Sequence, residues 1–149
     1  MRVALLLPAL LLSVGCAHRT AMIAPPTTGW ITPVEAVQAA NDDPKRGISG
    51  TFVLTVQNVD QTEHRIYLNS ERDYRHQVAL GVSLDAAQAE ALQAQLGLPL
   101  ERLVNRRLLV QGTARRNTIH FTHDGQPSGK YYFQTQVRVD DARHLRLAP

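Results

Sequence analysis

Val78, Leu80, Val82 and Leu84 fall at every second position, the most regular alternation in the chain. Successive side chains of an extended strand point to opposite faces, so this spacing gives a strand with one buried face. Such a strand needs neighbours, because its backbone amides must be paired. The pattern recurs upstream, where Phe52, Leu54 and Val56 share one face of a strand over 50–56 and a second strand begins across His64 to Leu68. Asp60 to Glu63 reads as the polar turn between them.

After Leu84 the period changes. Asp85 is placed to cap a helix with Gln88 three residues on, Ala89, Leu92 and Leu96 lie on one helical face, and Gly97 ends it. Pro99 to Val104 adds another helical turn. Leu108, Val110 and Ala114 resume the strand pattern, with Gly112 the expected place for a bend or bulge. A last strand runs from Tyr131 to Val139, with Phe133, Thr135, Val137 and Val139 on one face, and Leu145 and Leu147 close the chain. Before all of these, Thr32-Pro33-Val34-Glu35 has the form of a capping box that starts a short helix through about Ala40. Asn41-Asp42-Asp43-Pro44 and Gly47 supply the turn chemistry that ends it.

The first 30 residues follow other rules. Met1-Arg2 is positive, Val3 to Leu12 is apolar, and Ser13-Val14-Gly15 is small, which is signal-peptide layout. The apolar run is shorter than the roughly 20 residues that span a bilayer as a helix. Leu11-Leu12-Ser13-Val14-Gly15-Cys16 resembles the bacterial lipobox, and the resemblance implies cleavage before Cys16 and acylation of its thiol. Cys16 is the only cysteine, so a secreted chain of this kind has no disulfide framework. Several acyl chains at one residue exceed what a stable membrane anchor needs. Ala17 after the cysteine is compatible, by the same resemblance, with an outer-membrane lipoprotein facing the periplasm. The organisation expected is therefore a signal peptide over 1–15, a tether over 16–30 containing Pro25-Pro26, and one domain over 31–149.

Five strands with a helix between the third and fourth, after a short N-terminal helix, is the element order of the OB-fold, a small, partly open and mainly β barrel. "TPVEAV", "IYLNSERDYR", "LLVQG" and "YYFQTQVRVDDARHLRL" resemble pieces of bacterial envelope OB-fold proteins related to the nucleic-acid-binding OB superfamily, across residues 31 to 147. That resemblance implies binding on the second and third strands and on the loops after the first and fourth.

Two stretches are candidates for such contacts. In "LNSERDYR", residues 68–75, Glu71 and Asp73 stand beside Arg72 and Arg75. Beside the arginines both acids read as solvated, whereas general acid work calls for burial. The block therefore reads first as the tip of a hairpin, with Arg72, Arg75 and nearby Tyr67 as candidate ligand contacts. The second stretch runs from Arg115 to Lys130 and leads into Tyr131. Arg115, Arg116, His120, Phe121, His123, Lys130 and Tyr131 mix basic groups with aromatic faces, which suits stacked bases on a phosphate backbone or sugar rings on aromatic platforms. The simpler account of the same residues is an extra hairpin arm turning at Asp124-Gly125. No metal site is expected from His120 and His123, which are three apart with no helix around them.

Removing Arg2 with the signal leaves 15 basic residues against 13 acidic ones, a balance that does not demand a nucleic acid partner. No catalytic residue and no cofactor is expected. The chain has no Gly-x-Ser-x-Gly elbow, no His-Glu-x-x-His helix, and none of the Asp-Gly-Asp-Thr signature of OB-fold thermonucleases. The expectation is a lipid-anchored, non-enzymatic binding module of the cell envelope, whose partner is an envelope protein, a glycan or an oligonucleotide. The alternatives are an oligonucleotide-binding OB-fold protein and a divalent-metal-dependent nuclease.

Overall fold

The computed structural model describes residues 29–149; the expected signal peptide and Cys16 lie outside the described residues. The protein is mainly β, a curled and open half-barrel sheet with two helices. In chain order the elements are β1 (Trp30–Ile31), α1 (Pro33–Asp42), β2 (Ile48–Thr55), β3 (Asn58–Gln61), β4 (Ile66–Asn69) and β5 (Leu80–Leu84). They continue with α2 (Ala86–Leu96), a 3-10 turn at Leu100–Leu103, β6 (Arg107–His123), β7 (Gln126–Arg138) and β8 (Leu145–Leu147). The sheet runs β1-β2-β6-β7-β5-β4-β3, with β8 also paired to β6.

Both helix starts form as their residues dictate. The Thr32 hydroxyl accepts from the Glu35 amide while the Glu35 carboxylate accepts from the Thr32 amide at 2.8 Å. Asp85 accepts from the Gln88 amide at 2.9 Å, and Gly97 ends α2 with φ of 68°. Helix α1 buries Ala36, Val37 and Ala40 against the sheet, and α2 buries Ala89 and Leu92. Two glutamines fasten α2 to the end of the chain: Gln88 Oε1 accepts from the Ala142 amide, and Gln95 Nε2 donates to the Leu145 carbonyl.

The core is the inner face of the curl, and it collects the alternating residues. Phe52, Leu54 and Val56, then Leu68, Leu80, Val82 and Leu84, then Leu108, Val110 and Val137 are all essentially inaccessible. Fully burying each such side chain contributes about 1.5–3 kcal/mol, so the alternation also fixes the register.

The strand count and helix placement differ from the five-strand expectation. Among the described residues there are eight strands, and α2 lies between β5 and β6. One cause is a change of partner at Val56 and Gln57. The Val56 amide donates to Arg106 O, whereas the Gln57 amide donates to Asn69 O, so the chain leaves β6 and continues as β3 alongside β4. This also corrects the expected turn at Asp60 to Glu63, because Asp60 and Gln61 pair with Tyr67 and Ile66. The turn instead spans Thr62 to Arg65, closed by the Thr62 amide on the Arg65 carbonyl, and the strand expected from His64 begins at Ile66. Likewise the third strand begins at Leu80, with Val78 before it. Trp30 and Ile31 add the short parallel strand β1 beside Thr51 and Phe52, so ordered sheet begins one residue before the expected domain start.

Gly112 makes no bulge. It pairs in register with Gly50, and a Cβ there would stand 2.7 Å from Val137 Cγ1, so close packing is what requires glycine. Phe133 is 49% exposed, unlike Thr135, Val137 and Val139, because β6 and β7 run past the core as a two-stranded arm. The arm turns at Asp124-Gly125, both with positive φ, as the hairpin account expects.

Candidate functional site

The outer face of the sheet is built by strand register. Asn58 on β3 pairs with Asn69 on β4, Asn69 with Gly81 on β5, Gly81 with Gln136 on β7, and Gln136 with Arg115 on β6. A second row runs Asp60, Tyr67, Ser83 and Arg138. Paired residues point the same way, so the two rows form a polar surface directly behind the apolar core.

Two hollows open on this face. One of about 320 Å³ is lined by Asp60, Tyr67, Asn69, Tyr74, Tyr132 and Gln134, among others. The β3–β4 turn bounds it at Thr62, and the arm bounds it at Ile119. The other, of about 680 Å³, is lined by Arg65, Ser83, Arg115, Asn117, Arg138 and His144 with their neighbours. Tyr67 and Gln136 line both, so the hollows adjoin.

The aromatic rim has defined contacts. Tyr132 lies 6.3 Å from Tyr74 and 5.3 Å from Phe121 between ring centroids, in tilted geometry. Burial, then Tyr74, pushes the Tyr132 hydroxyl above its usual pKa, so it remains a neutral donor at neutral pH. Arg75 lies 5.6 Å over the Tyr74 ring and pairs with Asp73 at 3.1 Å. Hydrogen bonds from the Arg75 backbone and side chain hold Asp73 below the ordinary carboxylate range, so it is ionised. Ser70 closes the base of this loop, accepting from the Leu80 amide at 2.9 Å. In the larger hollow Arg138 is paired with Asp140 at 2.8 Å. Among the described residues, Arg65 and Arg115 make no ion pair.

Register divides the residues proposed from sequence between two faces. Arg115 joins Tyr67 on the cleft face, and Phe121 meets Tyr132 there. Arg116 turns to the opposite face and stacks 4.3 Å over Phe133, where His120 also meets Tyr131. His123 sits at the tip, 3.4 Å from Asp124, and Lys130 lies beyond the register shift that separates His120 from Thr122. Both are exposed, as is Arg72 on its loop. The arm is therefore not one binding surface, because Arg116, His120, Tyr131 and Phe133 face away from the cleft.

Sequence reasoning missed Asp60, Arg65, Asn69, Tyr74, Tyr132, Gln134 and Gln136. A signal existed in Gln134, Gln136 and Arg138, which alternate with core-facing Thr135, Val137 and Val139. Their cross-strand partners were not readable. No family model, curated protein or solved structure matches the chain.

Proposed function

We propose that the protein is a lipid-anchored, non-enzymatic binding module of the bacterial cell envelope, with an OB-fold-like domain that holds its ligand across the outer sheet face. Counting β2 and β3 as one bent strand and setting aside the two-residue β1 and three-residue β8 leaves five strands among the described residues, with α2 between the third and fourth, the element order of that barrel. The observation that carries the binding reading is the pair of adjoining hollows, one aromatic and one lined by Arg65 and Arg115, which make no ion pair among the described residues, between the turn after the bent first strand and the arm after the fourth. Those are the positions where OB-folds take extended ligands. The acids near the cleft favour binding over catalysis, since Asp140 and Asp141 are each tied to an arginine. The anchor rests on the lipobox resemblance at Cys16.

Intact mass spectrometry of the native protein extracted from its membrane tests both parts. The expected result is an acyl mass at Cys16 and a co-purifying ligand that Arg115→Glu releases and Arg116→Glu retains. An unmodified Cys16 would refute the anchor. A ligand released only by Arg116→Glu would move the site to the other face of the arm.

An oligonucleotide is the second reading. It is favoured by the contiguity of tyrosine faces with Arg65 and Arg115, a spacing of stacking and cationic groups that suits a single strand.

A further inference from the structure

Asn69 lies at the floor of the aromatic hollow and is 99% buried, yet its Oδ1 has no hydrogen-bond partner. Its Nδ2 donates to Asp60 Oδ2 at 2.8 Å, and Asp60 Oδ1 is held in turn by Asn58 Nδ2 at 2.9 Å. Reversing the Asn69 amide would set its oxygen against the Asp60 carboxylate, so the orientation is fixed by charge. The oxygen therefore points across the strand pair toward Gly81, where a Cβ would stand 3.2 Å from it. Gln136 Cγ and Gln134 Nε2 come within 3.6 and 3.8 Å of that same point. These two glutamines hold each other at 2.7 Å, and Gln134 reaches the Tyr74 carbonyl at only 3.4 Å.

A buried acceptor without a donor costs about 1–3 kcal/mol, so a structure that keeps one has a use for it or a missing partner. Here the missing partner must be a donor, because Asn69 Oδ1, the one buried side-chain polar atom without a partner among the described residues, is an acceptor. It must enter over Gly81, the one position in the row without a side chain, after the half-buried Gln136 swings outward. The walls are the rings of Tyr67, Tyr74 and Tyr132, which accept a flat group. Beyond Tyr67 and Gln136 the cleft continues to Arg65 and Arg115.

Resting on the reading of this face as the binding face, we infer that the aromatic hollow takes a single nucleobase of a single-stranded oligonucleotide, whose ring N–H or amino group donates to Asn69 Oδ1 while the adjoining phosphate meets Arg65 and Arg115. A sugar ring carries hydroxyls on most carbons, and the floor offers one unmatched acceptor rather than a set of them. A base presents a flat face and a donor in its own plane, which matches one acceptor between aromatic walls.

The test is fluorescence anisotropy on the full-length protein in detergent at low salt. The probes are a labelled mixed-sequence DNA strand of about a dozen nucleotides and a strand of equal length made of unsubstituted purine, which stacks but has no donor. Wild type is expected to bind the purine strand about tenfold more weakly, the effect of one lost buried hydrogen bond. Gly81→Ala puts a methyl 3.2 Å from Asn69 Oδ1 and fills the approach to it, so the Asn69 amide gives by a few tenths of an ångström; a folded Gly81→Ala, checked by circular dichroism, should bind both strands equally and weakly. Equal binding of the two strands by wild type, or discrimination preserved in Gly81→Ala, would overturn the inference. Binding of an oligogalacturonate but neither DNA strand, abolished by Arg115→Glu, would overturn the nucleobase and leave the binding face standing. Indifference of every probe to Arg115→Glu would instead remove the face itself.

Discussion

Gly47 and Gly97 have nearly the same backbone, with φ of 69° and 68°, but different surroundings. A Cβ at Gly97 would meet nothing within 4 Å, whereas one at Gly47 would stand 2.1 Å from the Ala114 carbonyl oxygen and 2.9 Å from Arg115 Cγ. Gly97→Ala therefore reports the backbone term alone, about 1 kcal/mol for an L side chain in the left-handed region. Gly47→Ala adds an overlap with backbone at the root of the arm, which the sheet relieves only by shifting β2 against β6. Such overpacking costs about 1–3 kcal/mol, for a total of about 2–4 kcal/mol. Urea unfolding followed by circular dichroism measures both. With a slope of about 1.5 kcal/mol per molar, Gly97→Ala lowers the midpoint by under about 1 M and Gly47→Ala by roughly 1.3–2.7 M. Equal midpoints for the two variants would refute the reasoning, since they would mean that the contact with Ala114 yields at no cost.

Other outcomes follow from burial and charge. Leu80→Ala, at a fully buried position, should cost about 2–5 kcal/mol, while Tyr131→Ala on the exposed arm should stay within about 0.5 kcal/mol by thermal unfolding; a large loss for Tyr131→Ala would mean that the arm packs on the body. The Arg143 side chain, then its backbone amide, lowers the Asp141 pKa to about 2. Its folded pKa lies below the unfolded one, so the stability it contributes is complete above about pH 4 and disappears as pH falls through about 2. Carbon-detected NMR should find the Asp141 midpoint near 2, rising toward the ordinary carboxylate value in Arg143→Ala; a wild-type midpoint near 4 would contradict the pairing.

What the sequence made legible was local. Alternation in 52–56 and 80–84 named core residues because one buried face is a period-two constraint, and Thr32 with Glu35 and Asp85 with Gln88 marked both helix starts because capping is decided within one turn. The Asp124-Gly125 arm was readable for the same reason. The cleft was not. Its rows join residues from five strands, and the parallel pairing of Gly81 with Gln136 links positions far apart in the chain through register alone. Asn69 looked like a turn former beside Ser70, yet it ends β4 and is buried by the neighbours that cover it. The division of Arg115 from Arg116 follows from pleating, but which face each meets depends on where β4 and β5 lie.

The central claim is that ligand meets the outer sheet face between the β3–β4 turn and the arm. Amide shift mapping by NMR, with the oligonucleotide or the co-purified ligand added, tests it most directly. Shifts concentrated at the side-chain amides of Asn69, Gln134 and Gln136 and the backbone of Gly81, Arg115 and Asn117 are predicted; shifts confined to α2, or to the arm tip around Asp124, would contradict it.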